Sequence, residues 1–306
     1  IRRPPRSTLS SSSAASDVYK RQEIYRKLSV PQFTIVTGLI IIFFGTLILS
    51  SPLCSSSDVG LWEAFFTSTS AITVTGLTII DIGVDLNIFG QIFLAFMLLS
   101  GGLGLMAITT FLQGFVVKGT QLRTRLDKGK TLDEFGVGGI GRTFQSIAIT
   151  ATSIISFGAI VLYFFGFLEI QNNWERLWSA IFHSISAYNN AGFSLWSNSL
   201  QDYRSNFVVN IVFIFLIVMG GLGWRVIDDI WSNRKNLSYK KLNLHSRLVI
   251  RTSFSLIIFG SLGFFVTETL LNSQFFSDLN FFEKILSSIL KLLVQEQRDL
   301  QIFQYL

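Results

Sequence analysis

The feature that most constrains the fold is a stretch of sixteen residues that occurs twice. Leu61 to Gly76 reads LWEAFFTSTSAITVTG, and Leu177 to Gly192, 116 residues later, reads LWSAIFHSISAYNNAG, with half of the sixteen positions identical. A second pair follows, because SGGLGLM from Ser100 recurs as MGGLGWR from Met219, 119 residues on. Since an internal repeat decides the architecture before any single element does, we expect repeated units of roughly 115 to 120 residues.

The composition predicts an all-α membrane protein. Hydrophobic residues make up 49% of the 306 residues and charged residues only 14%, whereas a soluble domain carries about 25% charge. The net charge of +6 does not predict a nucleic-acid partner, because Lys and Arg lie mainly in short segments between apolar runs. With one Cys and two His, the sequence offers neither a cysteine cluster nor a histidine-rich metal site, and we expect no cofactor.

Each unit is predicted to be a helix, a half-helix with a loop, and a second helix. Phe33 to Ser50 is an apolar run without a charge, and at ~27 Å it can just cross the hydrocarbon core. Leu61 to Ile72 gives only ~18 Å of helix. Such a segment is expected to enter the membrane halfway and return as extended chain, which is tolerated where the backbone lines a watery path. The other predicted spans are Leu86 to Val117, Thr143 to Leu168, Phe207 to Ile230 and Leu248 to Leu271.

The distribution of charge predicts the topology. The segments between the units, 118–142 and 232–247, are rich in Lys and Arg and are therefore expected on the cytoplasmic side. Ser51 to Gly60 and Ile80 to Asn87 have no Lys or Arg and are expected outside. We therefore expect a multi-pass protein of the cell membrane with a cytoplasmic amino terminus. The predicted segments are a non-native or disordered leader (1–22), a first unit (23–117), a connector (118–142), a second unit (143–231), a connector (232–247), the start of a third unit (248–290) and a tail (291–306).

The repeated loop has the properties of a cation site. A helix that ends in mid-membrane directs the negative end of its dipole at whatever lies beyond it. The extended residues that follow have no helical partners for their carbonyls, which can replace the water shell of an ion. Glycine suits such a loop, because a row of carbonyls aimed at one axis requires backbone angles that a Cβ resists. The Thr hydroxyls of the first copy could add a ligand or bond the backbone, and both roles stay open.

At this point the sequence resembles a known family. TSTSAITVTGL (Thr67 to Leu77) and FHSISAYNNAGFS (Phe182 to Ser194) are similar to the first and second pore loops of the membrane subunit of the Trk, Ktr and HKT superfamily of potassium and sodium transporters. The Gly-Gly-Leu-Gly runs resemble the inner helices that follow those loops. The resemblance implies that K⁺ is bound by the backbone carbonyls of filter residues, which here are Thr73, Val74, Thr75, Gly76, Asn189, Asn190, Ala191 and Gly192.

The resemblance also implies the function and the partners. Four units would surround one pseudo-fourfold pore, and glycine rather than serine in both filters favours K⁺ over Na⁺. The expected protein takes up K⁺ across the cell membrane as a pore-forming subunit, as a homodimer in full-length form among membrane lipids, with a cytosolic nucleotide-binding regulatory subunit. The alternatives are an inactive truncated fragment, a sodium-selective or sodium-coupled relative, a two-helix channel subunit and, least favoured, a membrane-embedded enzyme.

The sequence departs from the family pattern in several places. Ser156 stands where a Glu is expected, and Arg225 follows Trp224 where Phe-Pro is expected. The third unit is also incomplete, because the start of a half-helix at Phe282 to Leu290 gives way to the Gln-rich stretch Lys291 to Leu306.

A shifted reading frame would explain the end of the third unit. Combining the last base of each codon with the first two of the next, from Val294 to Leu300, allows Ser-Arg-Thr-Ala-Gly-Phe, close to what the family's third filter would contain. We therefore expect a frameshift near Lys291, a tail that is not native sequence, and a shifted frame in the nucleotides that encodes Arg-Thr-Ala-Gly-Phe.

Other polar and small residues carry weaker expectations. His183 is expected to hydrogen-bond a neighbouring helix rather than to bind an ion. Asp228 and Asp229, at a cytoplasmic helix end, could pair with basic residues of the connector or mark the inner pore mouth. Close helix packing, rather than hinging, is expected for the glycines of the two runs, namely Gly101, Gly102, Gly104, Gly220, Gly221 and Gly223.

Overall fold

The protein is described by a computed structural model in residues 30–102, 137–203, 205–233, 242–271 and 281–295. Within these ranges the chain is mostly helical and has no β-strand, so the all-α prediction is confirmed. The predicted leader 1–22 and residues 118–136 of the predicted connector lie outside the described residues. Residues 137–142, which were predicted to belong to the connector, instead begin the helix Val137–Val161. The helices are α1 (Val30–Leu49), α2 (Leu61–Thr73), α3 (Ile82–Asp85), α4 (Ile88–Gly102), α5 (Val137–Val161), α6 (Asn173–Tyr188), α7 (Phe207–Leu222), α8 (Trp224–Ser232), α9 (Leu244–Leu271) and α10 (Phe281–Gln295).

Asparagine side chains start two of the helices that flank the second loop. Asn172 precedes α6 and its side-chain oxygen accepts a hydrogen bond from the backbone N–H of Trp174, at 3.0 Å. Asn206 precedes α7 and accepts from the N–H groups of Val208 and Val209. Such N-caps satisfy donors that the first helical turn leaves free, and they fix where each helix begins.

Each half-helix lies between two apolar helices. The first, α2, packs against α1 and α4; α6 packs against α5 and α7; and α10 packs against α9 and α7. Glycines allow the outer helix of each unit to approach the inner one, since a Cβ at Gly45 would meet Met97 and one at Gly158 would meet Leu216. Met97 and Leu216 are 119 residues apart, the spacing of the two glycine runs. The two units are therefore packed in the same way at this contact.

The core surrounds the half-helices, and apolar side chains also cover the outside. Phe182 and Met97 are fully buried, together with hydroxyl-bearing residues of the half-helices such as Ser68 and Ser184. By contrast, Phe43 of α1 is 59% exposed, and α9 presents an unburied apolar face along its span. A surface of this kind is suited to lipid.

The length and composition of each helix show whether it could cross a membrane. Two helical segments in the described ranges are long and apolar enough to cross a bilayer, Gln145–Gly166 and Leu244–Thr267. The first includes the π-helical turn Leu162–Gly166 that continues α5. The segments Ile35–Leu49 and Ile88–Gly102 are shorter apolar helices.

The predicted span from Phe207 to Ile230 is not one continuous helix. The structure has two helices there, α7 and α8, which are bent by 98° relative to each other. The break lies at Gly223, whose φ of +79° ends the helix. This backbone conformation is one that glycine adopts without a steric penalty, which explains why the chain turns at this residue.

Candidate functional site

The first loop leaves α2 through backbone conformations that side chains rarely adopt. The short helix expected from Leu61 to Ile72 is present, because α2 has 13 residues and ends at Thr73; its entry halfway into the membrane stays a prediction. Val74 then has a φ of +56° and Gly76 a φ of +83°. Left-handed backbone is an outlier for a β-branched residue such as valine. Local strain of this kind is typical of functional sites, where the surrounding fold maintains it.

The second loop adopts the same conformation at the matching positions. The helix α6 has 16 residues and ends at Tyr188. Beyond it, Asn190 has a φ of +55° and Gly192 a φ of +70°. In the ungapped overlay of the two stretches, Asn190 falls on Val74 and Gly192 on Gly76. In both loops, therefore, the left-handed residues occupy the same two positions of the repeat, with one residue of another conformation between them.

One serine in each half-helix holds the loop that follows it. In the first copy the Ser70 carbonyl accepts from the N–H of Thr75 at 2.9 Å, and the Ser70 hydroxyl accepts from the N–H of Leu77 at 2.8 Å. In the second copy the Ser186 carbonyl accepts from the N–H of Ala191 at 2.8 Å. The Ser186 hydroxyl instead donates to the carbonyl of Phe193 at 2.7 Å. Each serine thus folds its loop back over the end of its own helix.

These bonds leave the backbone carbonyls of the loops unused. In the part of the chain that the structure describes, none of the bonds that fold the loops ends on a carbonyl of Thr73 to Gly76 or of Asn189 to Gly192. Both segments follow the carboxyl ends of α2 and α6, where the helix dipole is negative. The arrangement is suited to a cation that has lost water.

The threonine hydroxyls of the first loop bond within the protein. Thr73 Oγ1 donates to the backbone carbonyl of Thr69 at 2.8 Å, and it lies 2.6 Å from Thr75 Oγ1. Of the two roles that the sequence leaves open for these hydroxyls, bonding to the backbone is the one observed for Thr73.

The two loops lie against each other. A Cβ built on Gly76 would overlap the carbonyl oxygen of Ala191. It would also lie 3.4 Å from the Cα of Gly192. Gly76 therefore needs to be glycine for its φ and for this contact. The structure brings the two groups of predicted filter residues together, although they are more than a hundred positions apart in sequence.

The glycine runs pack mainly against the ends of the half-helices. A Cβ on Gly101 would lie 2.5 Å from the carbonyl oxygen of Ile72, and one on Gly220 would overlap the carbonyl of Tyr188. Gly102 abuts the side chain of Asn189. Close packing thus holds for these three, but the partner is the half-helix and its loop. Gly221 has ordinary room, Gly223 has no atom within 4 Å, and Gly104 lies outside the described residues.

His183 bonds differently from the expectation. Its Nδ1 lies 2.8 Å from the carbonyl of Ser179 in the same helix. Its Nε2 lies 3.1 Å from Ser194 Oγ and accepts from the N–H of Leu195 at 3.4 Å, so the partner is the chain just past the second loop, not a neighbouring helix. The ring also stacks on Trp196, with centroids 4.1 Å apart. Sequence reasoning missed this contact, because nothing in the pattern shows where the loop returns.

Asp229 has a structural role at the end of α8. Its carboxylate accepts from the backbone N–H of Asn243 at 2.9 Å and from the side chain of the same residue at 3.0 Å. It also accepts from the side chain of Asn233 at 3.2 Å. Asp229 therefore joins the end of α8 to the start of α9.

Comparison with known proteins gives the family. The family model described as TrkH, cation transport protein, matches residues 31–297. The chain belongs to the TrkH family. This family consists of cation transport proteins, not enzymes, and membership together with the apolar helices makes the chain a membrane protein.

Curated relatives of this TrkH-family chain are named for ion uptake. Ktr system potassium uptake protein B of Bacillus subtilis is 31% identical over 243 residues, which cover 79% of this chain and 54% of that protein. Potassium/sodium uptake protein NtpJ of Enterococcus hirae is 31% identical over 251 residues, which cover 81% of this chain and 54% of that protein. The chain therefore spans about half the length of these relatives.

A solved structure supports the TrkH fold. The crystal structure of the potassium transporter TrkH from Vibrio parahaemolyticus matches with a TM-score of 0.58 and 18% identity. The match covers 88% of this chain and 51% of that chain. At this identity the likeness shows the fold of the helices.

Proposed function

We propose that the two loops are filter segments of a potassium-uptake pore, in which K⁺ passes from carbonyl to carbonyl down its electrochemical gradient. The observation that carries the proposal is the matched pair of left-handed turns, at Val74 and Gly76 and at Asn190 and Gly192. The filter residues are Thr73, Val74, Thr75, Gly76, Asn189, Asn190, Ala191 and Gly192.

The physical argument rests on what the loops offer to an ion. Each loop contributes a row of backbone carbonyls at the negative end of a half-helix. In the described part of the chain, none of the hydrogen bonds that fold the loop ends on these carbonyls. The contact between Gly76 and Ala191 keeps the two rows adjacent. Gly101 of α4 and Gly220 of α7 contact the carbonyls at the ends of α2 and α6, so α4 and α7 pack against the half-helices that carry the filter. These features favour a preformed cation site.

The remaining architecture is proposed from packing and charge. The half-helix α10 packs against α7 much as α6 packs against α4, so a third unit continues the arrangement around the same axis. Four such units would complete a pseudo-fourfold pore. The basic connectors support a multi-pass topology with a cytoplasmic amino terminus. In full-length form the protein is proposed to be a homodimer that binds a cytosolic nucleotide-binding regulatory subunit. The Ktr relatives are, by name, components of a system.

The experiment replaces Gly192 with Ser in a full-length transporter that carries these two units. A side chain at a φ of +70° is strained and shifts the carbonyls on either side, so the preference for Rb⁺ over Na⁺ should fall. Uptake of both ions is measured in cells that lack their own potassium uptake. The control is Gly263→Ala in α9, where a Cβ would meet nothing within 4 Å. An unchanged ion preference at a normal amount in the membrane would refute the filter assignment.

A sodium-coupled or sodium-selective transporter is the second candidate. The name of the Enterococcus relative, a potassium/sodium uptake protein, favours it. The same uptake measurement separates the two, because a sodium-selective filter would take up Na⁺ in preference to Rb⁺ before any substitution is made.

A further inference from the structure

We infer that His183 is a positioning residue that sets the geometry of the second filter from its outer side, together with a contact from the first unit. The inference rests on the proposed function, since it names a residue that determines the ion preference of the same pore. It concerns the stretch Ser194 to Trp196, here called the outer arm, which leads away from the filter residue Gly192.

The hydrogen bonds of His183 define its protonation. Because a carbonyl can only accept, the Nδ1 that faces the Ser179 carbonyl at 2.8 Å must carry the proton. In the neutral imidazole, Nε2 then has a lone pair, and it accepts from the N–H of Leu195 and from the hydroxyl of Ser194. The Ser194 oxygen in turn accepts from the N–H of Trp196 at 3.1 Å. Every donor in this set has an acceptor, with the single lone pair of Nε2 shared by two donors, so the bonds fit a neutral ring.

The surroundings of the ring make this arrangement rigid. His183 is 1% exposed, and Trp196 stacks on it with an interplanar angle of 22°. Phe167 contacts both His183 and Trp196 edge-on. A buried network that is fully satisfied holds its members in one geometry, because any displacement leaves a polar group unpaired. The outer arm is therefore fixed to α6 at a point only three residues beyond Gly192.

The first unit contacts the outer arm from the other side. A Cβ on Gly83, in the short helix α3, would overlap the carbonyl oxygen of Leu195. Leu195 is thus held at its backbone N–H by His183 and confined at its backbone carbonyl by Gly83. The helix α3 is itself tied down by Gln91, whose side-chain amide donates to the carbonyl of Leu86 at 2.9 Å and to that of Ile82 at 3.4 Å.

A hydrogen bond from the indole of Trp178 to Gln91 joins the second unit to the first. Gln91 Oε1 accepts from Trp178 Nε1 at 2.7 Å, and Trp178 belongs to α6, five residues before His183. The path runs from α6 through Gln91 and α3 to Leu195 and back to α6. Both units therefore take part in fixing one arm of the second filter.

The first loop has no equivalent of this arrangement. The position that matches His183 is Thr67, whose buried hydroxyl has no hydrogen-bond partner among the described residues. Thr78, which matches Ser194, donates instead to the carbonyl of Ile80 at 2.8 Å. Of these two loops only the second has this set of contacts around His183, here called the clamp, and the two predicted filters are therefore unequal.

The first test is hydrogen exchange at the amide of Leu195 in the purified 306-residue chain. His183→Leu removes the acceptor Nε2. Ser194→Ala removes the two bonds of the hydroxyl, to Nε2 and from the N–H of Trp196, and leaves the imidazole in place to accept from Leu195. Exchange should become about tenfold faster in His183→Leu, because the bonds at Nε2 are lost. Ser194→Ala should give a smaller increase. His183→Gln, whose amide oxygen can accept in place of Nε2, should restore slow exchange. The control is His245→Leu at the exposed start of α9. Unchanged exchange in His183→Leu would overturn the inference.

The second test is the ratio of Rb⁺ to Na⁺ uptake in a full-length transporter that carries the same substitutions. The ratio should fall in His183→Leu at an equal amount in the membrane, and it should recover in His183→Gln. Faster exchange without a change in the ratio would overturn the positioning role. If the unsubstituted transporter shows no preference for either ion, the proposed function fails instead, and the exchange measurement still decides whether the clamp exists.

Discussion

Gly220 packs against the end of the second half-helix, and a Cβ built on it would make a closer contact than one on any other glycine in the described part of the chain. A Cβ placed on it would overlap the carbonyl oxygen of Tyr188, the last residue of α6, whereas the adjacent Gly221 would place its Cβ 3.7 Å from Asn190 Nδ2. We predict that Gly220→Ala is strongly destabilising and that Gly221→Ala is not. The two substitutions add the same methyl group to the same helix.

The magnitude follows from two opposing effects. An alanine in a helix interior is more favourable than glycine by about 1 kcal/mol. Overpacking a well-packed contact costs about 1–3 kcal/mol, and the upper end applies to Gly220 because the atom in the way is backbone and not the tip of a flexible side chain. The net cost for Gly220→Ala is about 2 kcal/mol. For Gly221→Ala we expect no loss, and at best a gain of about 1 kcal/mol.

The assay is thermal unfolding of the purified chain in detergent, followed by gel filtration after heating. The Gly220→Ala midpoint should lie below that of the unsubstituted protein, and the Gly221→Ala midpoint at or above it. If the two variants unfold at the same temperature, the inner helix does not press on the end of α6, and the packing described here is wrong.

Two further predictions concern the junction of α8 with α9 and the topology. Asp229→Ala should lower the unfolding midpoint, because the start of α9 loses its acceptor, whereas Asp228→Ala should leave it unchanged; equal midpoints would contradict the assigned role. A cysteine at Leu53, which is 79% exposed, should react with a membrane-impermeant thiol reagent in intact cells, and one at the exposed Ser232 should not. The native Cys54 is 6% exposed and is a poor probe. Labelling in the opposite sense would invert the topology.

Much of the fold could be predicted because the repeat gives the same information twice. The first half-helix was predicted to end at Ile72 and ends at Thr73. The start of α6 at Asn173, four residues before Leu177, was missed. Asn172 as an N-cap, with Glu175 in the first turn, was a readable signal for it. The short helix α3 was missed as well, although Asp81 caps it.

Other features could not be predicted from local pattern. The break at Gly223 was missed, because a glycine in an apolar run fits a continuous helix as well as a turn. The partners of His183 lie on a returning loop, and the contact between Gly76 and Ala191 joins two different units. Contacts of this kind depend on how the units pack together, whereas periodicity and composition describe one segment at a time.

The most direct test of the filter is to locate the ion. A structure of the transporter determined with Rb⁺ as a substitute for K⁺, using the anomalous signal of rubidium, shows where the cation binds. We predict density between the carbonyls of Thr73 to Gly76 and those of Asn189 to Gly192, and loss of that density in Gly192→Ser. Rubidium that binds elsewhere in the protein, or carbonyls of these two loops that contact no ion, would contradict the account.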